Sequence, residues 1–334
     1  VTEGPDSTKA ERIPRQVNFD LISGLFICYV LAVHSCQFAG IQDNVVCRDF
    51  EFVFFFFMPW FFFKSGYFHK RRDTESIRDA GMRLRRLALP YVSWVAIGYT
   101  IHVALDLFGR VEPLHWVFFG PVRMLLAQGS EMGNLPLWFL LSFLFVQLLG
   151  TFAIRFESWI LPGLPLVGWF LDDRGITLPL GLSNLFLGLF FFLCGTRYRI
   201  LRPRLVGKII YPLVLPTYLL LNLCFHSELD FRINHVAVGW YPAYVIGSVA
   251  GIVLLEWSTR TLGPNVLGWI GRNAILFFVA HWPILEICRP ILVGVLPKLP
   301  GAPGVYATVL YALAFSLSAL LIRVVGRNRF LVRN

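Results

Sequence analysis

A chain of 334 residues has room for two soluble domains, yet 56% of it is hydrophobic, 16% aromatic and only 15% charged, with a mean hydropathy of +0.64. Soluble domains devote about a quarter of their residues to charge, so disorder, a coiled coil and a soluble α/β enzyme are excluded. The net charge of +10 falls in tight groups flanking apolar runs, the pattern of membrane anchoring rather than of nucleic-acid binding.

The expected architecture is all-α: a polytopic integral membrane protein with about ten transmembrane helices in one bundle. Residues 1–18, with Lys9, Arg12 and Arg15, read as a polar cytoplasmic tail, residues 19–326 as the membrane domain and residues 327–334 as a second cytoplasmic tail. A helix needs about 20 apolar residues to cross the hydrocarbon, where no backbone polar group can stay unpaired. Apolar runs of that kind are Phe19 to Ala39, Phe50 to Phe68, Leu87 to Phe108, Pro136 to Arg155, Leu178 to Thr196, Gly207 to Phe225, Val236 to Glu256, Leu267 to Arg289 and Gly304 to Val325. A shorter stretch, Trp159 to Leu171, interrupted by Pro162, Gly163, Pro165 and Gly168, makes the tenth, or a re-entrant segment; Leu114 to Leu126 is a second candidate of that kind.

If Trp159 to Leu171 crosses and Leu114 to Leu126 does not, both termini share one side, and that side collects the basic clusters. It receives Lys70, Arg71, Arg72, Arg78, Arg83, Arg85 and Arg86, then Arg197, Arg199, Arg202, Arg204 and Lys208, then Arg323, Arg327, Arg329 and Arg333. The opposite side keeps only scattered Arg48, Arg110, Arg123, Arg174, Arg232 and Lys298. By the positive-inside bias the clustered side is cytoplasmic. Cys28, Cys36, Cys47, Cys194, Cys224 and Cys288 show no paired short spacing of the zinc or redox kind and read as membrane-core cysteines.

Ionisable groups inside a span cost several kcal/mol on insertion scales, so each is a site candidate. At about 100° per residue Asp20, Ser23 and His34 share one face of the first helix, which Gln37 extends. Ser23 and His34 are about 16 Å apart along the axis at about 1.5 Å per residue, too far to touch but able to line one tunnel. A histidine bonded to a backbone carbonyl between packed helices fits His34 equally well, and Asp20 also suits a helix N-terminus. On the antiparallel second helix Lys64 lies at the depth of Ser23, either snorkelling to headgroups or charging the inner mouth of that tunnel. Ser65 and Gly66 are small residues suited to close packing. Arg83, Arg85 and Arg86 are anchors whose forked donors also suit phosphates. Trp138 fits an interfacial ring, while Asn273 and His281 lie within some 80° of each other in a late span, with Arg272 facing away from His281.

Five segments, FDLISGLFICYVLAVH, MPWFFFKSGYF, RLRRLALPY, LPLWFL and IGRNAILFFVAHWP, stand in the order of the motifs of the membrane-bound acyltransferase family 3, which this chain resembles over nearly its whole length. The resemblance implies a ten-helix bundle that takes an acyl group from cytoplasmic acyl-CoA, commonly acetyl-CoA, and delivers it to a hydroxyl of an extracytoplasmic glycan or glycolipid. It implies His34 as catalytic base or acyl relay, with Tyr67, Asn273 and His281 beside it. Acyl-CoA contacts are expected at Ser23, Lys64, Ser65, Arg83, Arg85 and Arg86, and acceptor contacts at Gln37 and Trp138; of these the resemblance itself matches Ser65, Arg86 and Trp138, and the others follow from their depth, helix face or charge. One position departs from the family pattern: eleven residues before the histidine, where a basic residue is usual, stands Ser23, and Lys64 is the expected source of the missing charge. No metal and no resident cofactor are expected, acyl-CoA being a donor substrate; the partners are the glycan acceptor and the bilayer, and the setting is a bacterial inner membrane. The alternatives are succinyl transfer from succinyl-CoA to a periplasmic or exopolysaccharide glycan, and a transporter or flippase of a polar or lipid-linked solute.

Overall fold

The computed structural model describes residues 16–41, 50, 52–69, 77–109, 114–205, 210–295 and 302–325. Both expected tails, apart from residues 16–18, and Cys47, Arg48, Lys70, Arg71, Arg72, Arg110, Lys208 and Lys298 lie outside the described residues, as do the side chains of Arg78, Arg83, Arg86 and Arg204. The described chain is a helical bundle. Its helices are α1 (Val17–Phe38), α2 (Phe57–Tyr67), α3 (Ile77–Gly109), α4 (Leu114–Gln128), α5 (Leu137–Ala153), α6 (Gly163–Asp173), α7 (Ser183–Leu205), α8 (Ile210–Cys224), α9 (Tyr241–Ser258), α10 (Val266–Arg272), α11 (Ala274–Val295) and α12 (Ala302–Val325). Seven of the described helical stretches are long and apolar enough to cross a membrane, and Phe52–Tyr67 and Pro212–Cys224 are shorter apolar helices.

Helix α1 is the axis of the bundle, and α2, α9, α10, α11 and α12 all pack on it. Small residues set the closest approaches, as expected where lipid leaves no hydrophobic force to drive helices together. A Cβ at Gly24 would overlap the Leu267 carbonyl and one at Gly271 the Asp20 carbonyl, so α1 and α10 touch backbone to backbone. Gly66 against the Phe192 carbonyl and Gly195 against the Phe63 carbonyl do the same for α2 and α7. Around these seams Phe19, Phe26, Phe56, Trp60, Phe62 and Phe192 are fully buried.

The segment 157–173 runs the length of α7 in the opposite direction. At one end Thr196 donates to Glu157 (3.2 Å) and Arg197 pairs with it (2.9 Å). At the other, Asp172 meets His235 (2.6 Å), beside the bond from Asn184 to the Arg232 carbonyl (2.8 Å). Expected as a broken crossing, it is a helical turn, Glu157–Ile160, followed by α6. Leu114 to Leu126 lies in α4, which stops at Gly129, where a φ of +70° favours glycine.

Two expectations need correction. The run expected to span from Val236 begins with a strand: β1 (Glu228–Asp230) and β2 (His235–Val238) form an antiparallel hairpin, and α9 starts only at Tyr241. Alternation of polar and apolar residues over so short a stretch is swamped by the apolar run behind it. The run Leu267 to Arg289 is likewise two helices, because the chain bends at Asn273, whose side-chain amide turns back to the Trp269 carbonyl (2.9 Å).

Candidate functional site

The last turns of α1 and the middle of α11 bring two imidazoles face to face. The His34 and His281 rings stack at 5.2 Å between centroids, and Trp282 meets His34 edge-on at 5.0 Å. His281 Nδ1 lies 3.1 Å from the Phe277 carbonyl, which can only accept, so Nδ1 carries the proton and Nε2 presents a lone pair. That Nε2 is buried and has no hydrogen-bond partner among the described residues. His34 Nδ1 is held the same way, 3.1 Å from the Gln37 side-chain oxygen, which leaves its own Nε2 as the basic nitrogen.

His34 and Gln37 open into a cavity of about 270 Å³. Its walls include Trp138 from the start of α5, stacked on Phe231 at 6.1 Å, and Glu228, Asp230 and Arg232 from the hairpin. Aromatic faces beside charged hydrogen-bonding groups are suited to a polyhydroxylated ligand.

A second cavity of about 300 Å³ lies toward the start of α1, lined by Ser23, Lys64, Ser65 and Arg272 among mostly apolar side chains. The Lys64 ammonium reaches Ser23 Oγ (2.9 Å), Asp20 Oδ1 (3.2 Å) and the Phe19 carbonyl (3.4 Å). Trp60 Nε1 donates to the same Ser23 hydroxyl (3.0 Å). A positive charge thus sits against Ser23 although α1 itself carries none there. Residues of that face of α1 line two separate cavities, Ser23 the second and His34 and Gln37 the first, and Phe278 lines both.

Other expected site residues are placed elsewhere. Tyr67 points away from the histidines, its hydroxyl accepting from Arg202 (2.9 Å) in a polar cluster near the start of α1. There the fully buried Glu256 accepts from Arg202 (2.8 Å), Arg260 (2.6 Å), Asn18 (3.1 Å) and Tyr198. Asn273 caps the bend between α10 and α11, eight residues from His281, about 12 Å at the helical rise. Ser65 lines the second cavity while its hydroxyl bonds the Phe62 carbonyl (2.7 Å). Arg85 is exposed on α3, and Arg83 and Arg86 lie on the same helix with side chains outside the described residues.

Arg272 lines a cavity that helical angle alone does not reveal, because the chain bends between it and His281. Glu256 has no signal in the sequence beyond a carboxylate at the end of an apolar run, which resembles a span boundary. Among the described residues no group of three or more His, Cys, Asp or Glu side chains gathers as metal ligands.

With this geometry in place, comparison with known families gives one finding. A family model described as an acyltransferase domain, that of acyltransferase family 3, matches residues 16–324. The chain belongs to acyltransferase family 3. Neither the curated proteins nor the solved structures yield a match to it. The match covers every described residue except Val325, so both cavities fall inside the acyltransferase domain. This family-3 protein is a membrane acyltransferase, built as a helical bundle with several helices able to cross a bilayer.

Proposed function

We propose that this acyltransferase moves an acyl group, acetyl in the first instance, from cytoplasmic acyl-CoA to a hydroxyl of an extracytoplasmic glycan or glycolipid. The carrying observation is the order of parts along α1: a basic cavity at Ser23, Lys64 and Arg272, then the His34–His281 pair, then a cavity walled by Trp138 and the hairpin. Lys64 and Arg272 receive the anionic donor, with Arg83, Arg85 and Arg86 of α3 as further phosphate contacts. Trp138, Gln37 and the hairpin hold the acceptor. In this reading seven long crossings, the two shorter apolar helices and segment 157–173 make ten, both termini are cytoplasmic, and the membrane is a bacterial inner membrane.

In the transfer step His34 Nε2 takes the proton of the acceptor hydroxyl as that oxygen attacks the thioester carbonyl. The C–S bond then breaks, and the CoA sulfur leaves with the proton returned from the imidazolium. General-base assistance of this kind contributes about 10²- to 10⁴-fold. His281 is a positioning residue, its stacked ring fixing the His34 plane, while Gln37 fixes its tautomer.

Purified protein in nanodiscs, given acetyl-CoA, succinyl-CoA in parallel, and candidate glycans, is expected to release free thiol, and His34→Ala is expected to lose that release. CoA binding without His34-dependent thiol release under any acceptor would overturn the assignment of His34. A second reading, movement of a polar or lipid-linked solute, draws on the same two cavities separated by one ring, an arrangement that also suits alternating access. It gains ground if the protein binds no CoA and releases no thiol.

A further inference from the structure

Phe278 borders both cavities. It is buried at 6% exposure, meets Phe139 of α5 edge-on at 5.0 Å, and lies 6.0 Å from the His281 ring. Phe139 in turn faces the basic cavity, whereas its neighbour Trp138 faces the His34 cavity. The two rings therefore form a partition across the line from Lys64 to His34. Ser23 and His34 stand about 16 Å apart along α1 at the helical rise, so a donor anchored by its phosphates at Lys64 and Arg272 has to push its acyl end past this partition to reach the basic nitrogen.

We propose that Phe278, supported by Phe139, is a ring gate that selects the acyl group by size and keeps water from the thioester until the acyl end displaces it. This rests on the acyl-CoA reading above. A phenyl ring suits the task because it rotates about two side-chain bonds without disturbing the helix, and because apolar rings hold no water in a gap too narrow for its hydrogen bonds. Its place on α11 ties it to the histidine pair: residues three and four further along a helix share its face, and these are His281 and Trp282, the two rings that hold His34. Entry of the acyl end and correct placement of His34 are thus read by one face of one helix.

The test uses the full chain in nanodiscs with acetyl-, butyryl- and hexanoyl-CoA, water as the acceptor, and free thiol as the readout. Phe278→Ala is expected to raise acceptor-independent release at least tenfold and to raise the hexanoyl-to-acetyl rate ratio by a similar factor. Phe278→Trp is expected to lower release from all three donors, most from hexanoyl-CoA. Phe278→Leu and Phe139→Leu preserve packing and are expected to fall between wild type and alanine, so a misfolded alanine variant leaves the series readable. Thiol release by wild type with an unchanged chain-length ratio across the folded variants would overturn the gate and leave the acyltransferase reading standing. Absence of release from every donor in wild type and variants, with no CoA bound, overturns the acyl-CoA reading and the gate with it.

Discussion

Lys64 and Ser23 show how one charge can be delivered by either of two helices. The ammonium, 2.9 Å from Ser23 Oγ and 3.2 Å from Asp20, is held where a basic residue on α1 would have placed it. Lys64→Met is therefore expected to raise the apparent KM for acyl-CoA about tenfold with little change in kcat, the scale of one lost charge-assisted contact. Adding Ser23→Lys to that variant is expected to restore most of the affinity; initial-rate kinetics over a range of donor concentrations check both. At the other end of α1, Gln37→Leu is expected to lower kcat by less than His34→Ala does, since it frees the imidazole tautomer without removing the base. In the connection between α4 and α5, Glu131 Oε2 lies where a Cβ on Gly98, in the middle of α3, would fall. Glu131→Gln exchanges a buried carboxylate for a neutral amide of the same shape and is expected to raise the melting temperature in detergent at pH 8, read as thermal unfolding.

Among the described residues, helices are joined by glycine seams and by buried ionic contacts, of which the cluster around Glu256 is the most enclosed. The seams α1–α10 and α2–α7 leave no room for a side chain, so Gly66→Val or Gly271→Val is expected to give little folded protein, seen as loss of a monodisperse peak in size-exclusion chromatography. The cluster links α1 through Asn18, α7 through Tyr198 and Arg202, and the end of α9 through Glu256 and Arg260. Removing one partner of such a cluster leaves buried charge uncompensated, at about 3–5 kcal/mol. Glu256→Gln is expected to cost on that scale in thermal melts, with the CoA chain-length preference unchanged. Tyr67 joins this cluster, its hydroxyl accepting from Arg202.

For the whole molecule the decisive feature is that two cavities of different chemistry meet at one ring. Their openings are expected on opposite faces of the membrane. In sealed inverted vesicles and in intact cells, a membrane-impermeant thiol reagent is expected to label Arg272→Cys from the cytoplasmic face only. Gln37→Cys is expected to label from the opposite face only. Labelling of both from one face would contradict the two-sided route.

Sequence alone determined that the chain is a helical membrane protein, because an apolar run of some 20 residues has few other stable fates. It also determined that Ser23, His34 and Gln37 share a face, because helical angle is a local property of one continuous element. The pairing of His34 with His281, the meeting of Lys64 with Ser23 and the position of Phe278 between two cavities were decided only by tertiary structure. So was the placing of the hairpin as a wall of the His34 cavity. Each of these depends on how far one helix is shifted and rotated against another, and that is set by where backbones can touch at glycines far apart in the chain, a quantity no local spacing records.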